Sequence, residues 1–515
     1  MKYFLFIVVS LVYISKANAQ SKADNYYESG YFKEASIIFE KELSKGRSDS
    51  KSLQFKLADS YYQMNNFKSS IKIYEELYKS ENKDSLTLMR LAELNRMFCK
   101  YDEAEKFYTI YADNHITDAE DKSKFGKVIE SKIAYPKTNS QVDNSIELTD
   151  LNLPNVKRGM GYTFLGNGDL IAGMEQEDKE TKSTFTTLGK FSSTSDFKQV
   201  EKFEFKEETP FFNAYPTYSN SSKVLYFTAN IIDKRLSFKE NKNVLQVFSL
   251  NMESSEKEPE LLAFNLSGYN FTHPSISKDG KMLYFVSDMP GGYGGYDVYF
   301  VEKTSEGWSK AKNCGKNVNT MFDEMTPFVS GDSLYFSSYG HENFGGSDIF
   351  LSVKNGEEFT KASNLGLPVN SCMNDFAFIL TPEIGSGMLT SDRNATESNK
   401  DAVYKALFPM TPNTIIDELS NNPVSDVVIS FDDGTKVTSD ESGEWVKRIS
   451  LGDKISMKFD NLYYETKTLE YTSVSNEDLD EIRGVKLVPI MISGRAIDDI
   501  TGDPLKEVTV SLYVK

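Results

Sequence analysis

The 515-residue sequence holds little with which to do chemistry: three histidines (His115, His273, His341), three cysteines (Cys99, Cys314, Cys372) and two tryptophans. The histidines fall in separate repeats. There is no nucleophile elbow, no His-Glu-x-x-His and no paired-cysteine spacing. Neither catalysis nor a bound cofactor or metal is therefore expected, although scattered carboxylates of the glycosidase kind would leave no such signature. His273 precedes a proline, where a packed, hydrogen-bonded imidazole is expected. Three cysteines make no disulfide framework, and an odd count leaves at least one unpaired, so they read as small buried hydrophobes. The chain also lacks positive charge: 58 basic against 76 acidic residues give a formal −18. That excludes the clustered Lys/Arg face that nucleic acid requires. Beyond residue 19 no apolar run reaches transmembrane length.

What is present begins with an address. Met1-Lys2, the apolar run Tyr3 to Ile14 and Ala17-Asn18-Ala19 read as a secretory signal peptide over residues 1–19. No cysteine follows the cleavage point, so no lipid anchor of the bacterial lipoprotein type is expected. The mature chain reads as soluble or peripheral, in the periplasm or on the outer membrane. Hydrophobic residues at 39%, with 35 Phe and 29 Tyr, exclude a disordered chain and favour strand faces. The length calls for several domains.

Residues 21–137 are helical and repetitive. Gly30-Tyr31-Phe32 with Ala35 and Phe39, Asn66-Phe67 with Ser70 and Tyr74, and Lys100-Tyr101 with Ala104 and Tyr108 recur every 34 to 35 residues or so. Small residues at 35, 70 and 104 let paired helices approach, and the aromatic four residues on fills the neighbouring groove. These segments resemble the tetratricopeptide family, which implies protein binding in a concave groove; a plain spacer is the alternative. Residues 117–134 would cap the array, with a linker from Pro136.

Residues 145–408 change to period 2 and to a repeat of about 51 residues. The clearest unit runs from Thr272-His273-Pro274-Ser275-Ile276-Ser277-Lys278-Asp279-Gly280 through Tyr284-Phe285-Val286 and Gly291 to Asp297-Val298-Tyr299, ending at Asn317-Val318-Asn319. Its successor spans Thr326-Pro327-Phe328 to Pro368-Val369-Asn370. Four short strands per unit are the pattern of a β-propeller blade, with five blades, or six if one hides in residues 176–212. The last blade lacks a fourth strand, and Ile146 to Leu151 is the spare that would close the ring. The Pro-Ser-Ile-Ser-Lys-Asp-Gly run with Gly-Gly…Asp-Val-Tyr resembles the WD40-like Pro-Asp repeats of TolB-type propellers. Asp297, Asp348 and Asp401 follow the Gly-rich loops at one offset and read as turn carboxylates accepting backbone hydrogen bonds between blades. Tyr293, Tyr296, Tyr339 and Phe344 crowd the same loops as candidate ligand-facing aromatics that would stack on sugars; packing between blades is the alternative.

Residues 411–490 alternate again around Asp-Gly turns and resemble the carboxypeptidase-regulatory-like fold, a small antiparallel β-sandwich. Residues 491–515 begin a second, incomplete β module. The module order resembles OmpA-like envelope proteins of type IX secretion and gliding machinery, without their peptidoglycan-binding domain. That resemblance implies a non-enzymatic exported scaffold contacting envelope proteins through the helical groove and the propeller face. A glycan- or peptidoglycan-binding module is the alternative.

Overall fold

The computed structural model describes residues 22–506, apart from 29–30, 47–49, 81–83, 155, 157–159, 178–183, 196, 204–212, 233–242, 256–257, 384, 396–400, 410–411, 433, 448, 450–453, 473, 475 and 491–495. The signal peptide, Gly30 and the ends of the last module lie outside the described residues. The chain forms two compact units. One carries the N-terminal helices and most of the strands; the other is Thr381–Ser386 with Phe408–Lys515.

Among the described residues, seven helices open the first unit: α1 (Lys22–Glu28), α2 (Phe32–Leu43), α3 (Ser50–Gln63), α4 (Phe67–Lys79), α5 (Ser85–Met97), α6 (Tyr101–His115) and α7 (Ala119–Thr138). Each packs on the next along the chain. The α3–α4 and α5–α6 turns are copies. Asn65 and Cys99 are both left-handed (φ 58° and 57°), and Asn66 and Lys100 then share one conformation (φ/ψ −85°/64° and −93°/65°). All six repeat-packing residues, Ala35, Phe39, Ser70, Tyr74, Ala104 and Tyr108, are buried. Phe39 meets Tyr27 edge-on, Tyr74 meets Phe55 and Tyr108 meets Phe125. Ser70 Oγ donates to the Ala58 carbonyl at 2.8 Å, so the small residue fits directly against the partner helix backbone. Pro136 does not begin a linker. It sits buried in the last turn of α7, where its missing N–H forfeits a single helical bond.

Among the described residues, five small antiparallel sheets follow. Their inner strands are Tyr162–Phe164, Asn213–Ser219, Phe271–Ile276, Glu324–Ser330 and Asp375–Leu380, and they lead blades I to V. Each inner strand lies beside the next, and the fifth lies beside the first, so the sheets form a closed propeller ring. The stretch 176–212 contributes Thr184–Phe191 and Val200–Lys202 to blade I and holds no sixth sheet among the described residues. Glu147–Asp150 pairs antiparallel with Ala402–Leu407, so the strand preceding blade I completes blade V.

One irregularity recurs around the ring. Gly161, Tyr215, His273, Thr326 and Ala377 are all left-handed, with φ between 47° and 73°, and the ladder slips there in blades II to V. The three prolines Pro216, Pro274 and Pro327 follow such residues, at a bulge where no ladder N–H is required. Two positions after the bulge, Thr163, Thr217 and Ser275 accept the backbone N–H of Tyr218, Ile276 and Val329 in the next blade. The repeat therefore encodes the joints between blades. Asn265, Asn319 and Asn370 each take both backbone groups of a third-strand residue, Val247, Val298 and Ile349 respectively.

In the second unit, Asn413–Asp417 pairs with Glu444–Trp445 and with Gly484–Leu487, and a four-stranded sheet packs Ile429, Met457 and Phe459 against Ile415, Trp445 and Val485. The pairing of Asn413–Asp417 with Gly484–Leu487 is parallel, with Thr414 opposite Gly484, which departs from the all-antiparallel expectation. It is made across a connection long enough to hold the helix Asn476–Arg483.

Replacing Asn370 with Ala strands the buried N–H of Ile349, whose carbonyl keeps the N–H of Leu365. The expected cost is about 2 kcal/mol of unfolding free energy at unchanged m-value, read from urea denaturation.

Candidate functional site: the helical array on the glycine-rich rim

The Gly-rich loops stand at the rim of blades III and IV, between second and third strands. Asp297 accepts the N–H groups of Tyr293 (2.6 Å) and Gly294 (3.0 Å) and the amide of Asn313. Asp348 accepts from Phe344 and from Asn364. These bonds stay inside one blade, so the expected inter-blade role is corrected. The contact between blades is made by glycine itself. A Cβ on Gly294 would stand 2.1 Å from the Phe322 carbonyl oxygen, and one on Gly345 1.6 Å from that of Cys372. Any side chain would force each loop off the segment entering the next blade. Asp401 is buried at the head of the blade V third strand.

The aromatics divide. Tyr293 is 53% exposed and Tyr339 39%, whereas Phe344 is 2% exposed and faces no solvent. Tyr296 is half-buried, its hydroxyl accepting from Asn270. Phe344 is covered by the helical array, with the Tyr135 ring edge-on at 5.4 Å and the Tyr101 hydroxyl donating to its carbonyl at 2.9 Å. The sequence offers no sign that α6 and α7 would fold back onto a loop more than 200 residues away.

The rest of this junction is polar. Arg96 donates to Asn343 Oδ1 at 2.5 Å. The Lys132 ammonium donates to the Tyr339 carbonyl at 2.8 Å and lies 4.6 Å from the Phe322 ring centre. Burial, with Arg96 nearby, pushes Lys132 well below the usual lysine range. Cys99 in the α5–α6 turn is bonded to Cys372 in the segment entering blade V, 273 residues away. This corrects the reading of both as small buried hydrophobes. Cys314 is the free, buried one.

A second constellation lies on the odd-numbered helices of the array. Tyr27 of α1 donates to Asp59 of α3 at 2.7 Å, and Arg90 of α5 lies 3.5 Å from the same carboxylate. Arg90 also pairs with Glu93 at 3.1 Å, and its guanidinium stacks 3.7 Å from the Tyr62 ring centre. Glu93 keeps part of its side chain in solvent.

The histidines do not converge. His115 ends α6 beside Tyr111, and His341 holds the Val318 carbonyl at 2.9 Å. His273 is buried in the blade III inner strand, its ring centre 3.6 Å from that of Tyr215. Its Nδ1 has no hydrogen-bond partner among the described residues, contrary to the bonded imidazole expected. Burial lowers it to about 3, so it stays neutral. No cluster of metal-ligating side chains is found among the described residues.

No protein-family model and no curated protein matches the chain. Solved structures with partial likeness include a protein assigned as TolB from Agrobacterium tumefaciens (13% identity, 59% of this chain and 89% of that one, TM-score 0.30). The endo-arabinase of Bacteroides thetaiotaomicron is another (12% identity, 50% and 96%, TM-score 0.33). The β-propeller domain of the Trilobed protease of Pyrococcus furiosus is a third (8% identity, 64% and 85%, TM-score 0.25). Scores this low say nothing further about this chain; its propeller arrangement rests on the ring of sheets described above.

Two outcomes are expected. Replacing Cys99 and Cys372 together by Ser lowers the unfolding free energy by about 2–4 kcal/mol, measured by denaturant titration, because it frees a long loop in the unfolded chain. The second concerns pH. Burial raises Asp348 to about 8 and Glu324 and Asp392 to about 7. The folded protein thus holds protons that the unfolded chain releases, and stability is lost as pH rises through these values. Between about pH 6.5 and 8.5 the Asp348 contribution is on the order of 2 kcal/mol. The buried neutral His273 below that window, and Lys132 at pH above its lowered value, act in the opposite sense. The readout is therefore the difference between two melts: Asp348→Asn, which mimics the protonated acid, should gain Tm relative to the parent chain as pH rises across the window.

Proposed function

We propose that the chain is a non-enzymatic exported scaffold of the bacterial envelope, binding protein partners through a tetratricopeptide-type array held on a propeller. The observation that carries this reading is the ladder in which the partly exposed Tyr27, Tyr62, Arg90 and Glu93 are joined around the buried Asp59 carboxylate, drawn from three successive odd-numbered helices. A spacer has no use for charge and aromatic faces arranged along one side of a solenoid, whereas a groove that grips an extended or helical segment does. The disulfide, Arg96 and Lys132 fix the array on the propeller rim, so the groove is presented by a rigid body.

The likeness of module order to OmpA-like proteins of secretion and gliding assemblies supports a place in the periplasm or at the outer membrane. No described helix is long and apolar enough to cross a membrane. The glycan reading keeps Tyr293 and Tyr339 as exposed rings but loses Phe344 to the junction.

The test is affinity capture from envelope extracts with the chain from Gln20 onward. Recovery of a discrete set of envelope proteins, lost when residues 21–137 are deleted and reduced at least tenfold by Glu93→Arg, is the expected result. Retention on peptidoglycan or glycans with no specific protein would overturn it.

A further inference from the structure

The rim of blade III is a bare copy of the rim of blade IV. Position by position, about 51 residues apart, the two loops share one hydrogen-bond skeleton. Tyr293 and Phe344 donate to Asp297 and Asp348. Asn313 and Asn364 donate to the same aspartates. Tyr296 and Ser347 donate to Asp323 and Asn374, and Thr320 and Ser371 to Glu324 and Asp375. Met321 and Phe322 therefore stand where Cys372 and Met373 stand one blade on.

Covering differs. In blade IV, Asn343 to Ser347 are all buried, with Asn343 and Phe344 in contact with Arg96, Tyr101 and Tyr135 of the helical array. Their blade III counterparts are Gly292 to Gly295, all exposed, and the half-buried Tyr296; Tyr293 is 53% exposed and Met321 49%. The bare site adjoins the occupied one, because the Phe322 ring beneath it is the ring that Lys132 of α7 covers. It is also more acidic. Asp288 occupies the position of Tyr339, and Asp323 that of Asn374. The hydrogen bonds of Asp288, Asp297 and Asp323 come from uncharged amides, of Asn270, Asn313, Tyr293, Gly294 and Tyr296.

We infer that the blade III rim is a second docking site, which takes a helical segment of a partner protein presenting an aromatic ring and at least one cation, as α6 and α7 present Tyr101, Tyr135 and Lys132 to blade IV. Tyr293 and Met321 form the apolar seat, and the carboxylates set the sign of the partner's charge. The inference rests on the scaffold reading and names a contact apart from the array groove. The chain's own array cannot be the occupant, since Cys99–Cys372 holds it on the neighbouring rim.

The test places the photo-crosslinker p-benzoylphenylalanine at position 293 of the full chain and irradiates it in envelope extracts. The crosslinked peptide is then identified by mass spectrometry. The expected product maps to a helical segment of another protein carrying Lys or Arg beside an aromatic residue, with a yield that falls at least fivefold on raising salt from about 0.05 to 0.5 M. Met321→Ala, exposed and outside the hydrogen-bond skeleton, lowers the yield similarly while the melt stays unchanged. Absence of a product, a product with glycan or with a second copy of this chain, or a yield indifferent to Met321→Ala overturns the inference. If array-dependent capture persists in that event, the scaffold reading stands; if both fail, it falls with the rim site.

Discussion

The pairing of Glu147–Asp150 with Ala402–Leu407 is the constraint on which the first unit depends. Blade V contributes three strands of its own, and the fourth comes from the other end of the ring. Without it the ring would show an open sheet edge at blade V, with nothing to bind the last blade to the segment before the first. Because the closing strand follows directly on α7 and its connection, closure also brings the helical array back to the propeller. Val142 makes a bridge with Leu367, and the Asp143 N–H donates to the Leu367 carbonyl, so the connection itself is pinned to the blade IV–V segment.

From that return follows the junction. Once α6 and α7 lie over the blade IV rim, Phe344 is buried and Lys132 is desolvated above Phe322. Cys99 then comes within bonding distance of Cys372. Asp348, sealed beneath, is left as a carboxyl that favours its proton near neutral pH. A buried lysine, a buried acid and a covalent bond in one interface are costly to assemble from separate pieces. They are tolerable because ring closure and the disulfide hold the pieces at high effective concentration. The result is a helical array fixed in orientation, with a neighbouring rim of the same build left open.

The internal repeat explains why these features coexist. A propeller blade reuses one set of joints: the left-handed inner residue, the hydroxyl reaching to the next blade, the Asn clamp and the aspartate-glycine loop. Departures from the set then mark where something else acts. Gly292 against Asn343, Asp288 against Tyr339 and Asp323 against Asn374 are such departures, and they separate an acidic open rim from a covered one.

Much of this was legible in one dimension. Small and aromatic residues at Ala35, Phe39, Ser70, Tyr74, Ala104 and Tyr108 announce paired helices because helix packing needs that spacing wherever it occurs. The blade repeat announces a ring for the same reason, and the spare strand before blade I follows from counting strands. What the sequence could not show are contacts between residues that share no local pattern: Cys99 with Cys372, Tyr135 with Phe344, Lys132 with Tyr339 and Phe322, and the parallel pairing of Asn413–Asp417 with Gly484–Leu487. Local periodicity fixes which face of an element is apolar, since that depends on neighbours three or four positions away. Which distant surface covers that face depends on the path of the whole chain. Phe344 therefore reads from sequence as a ligand-facing aromatic like Tyr293, and only the returning helices decide that one is buried and the other open.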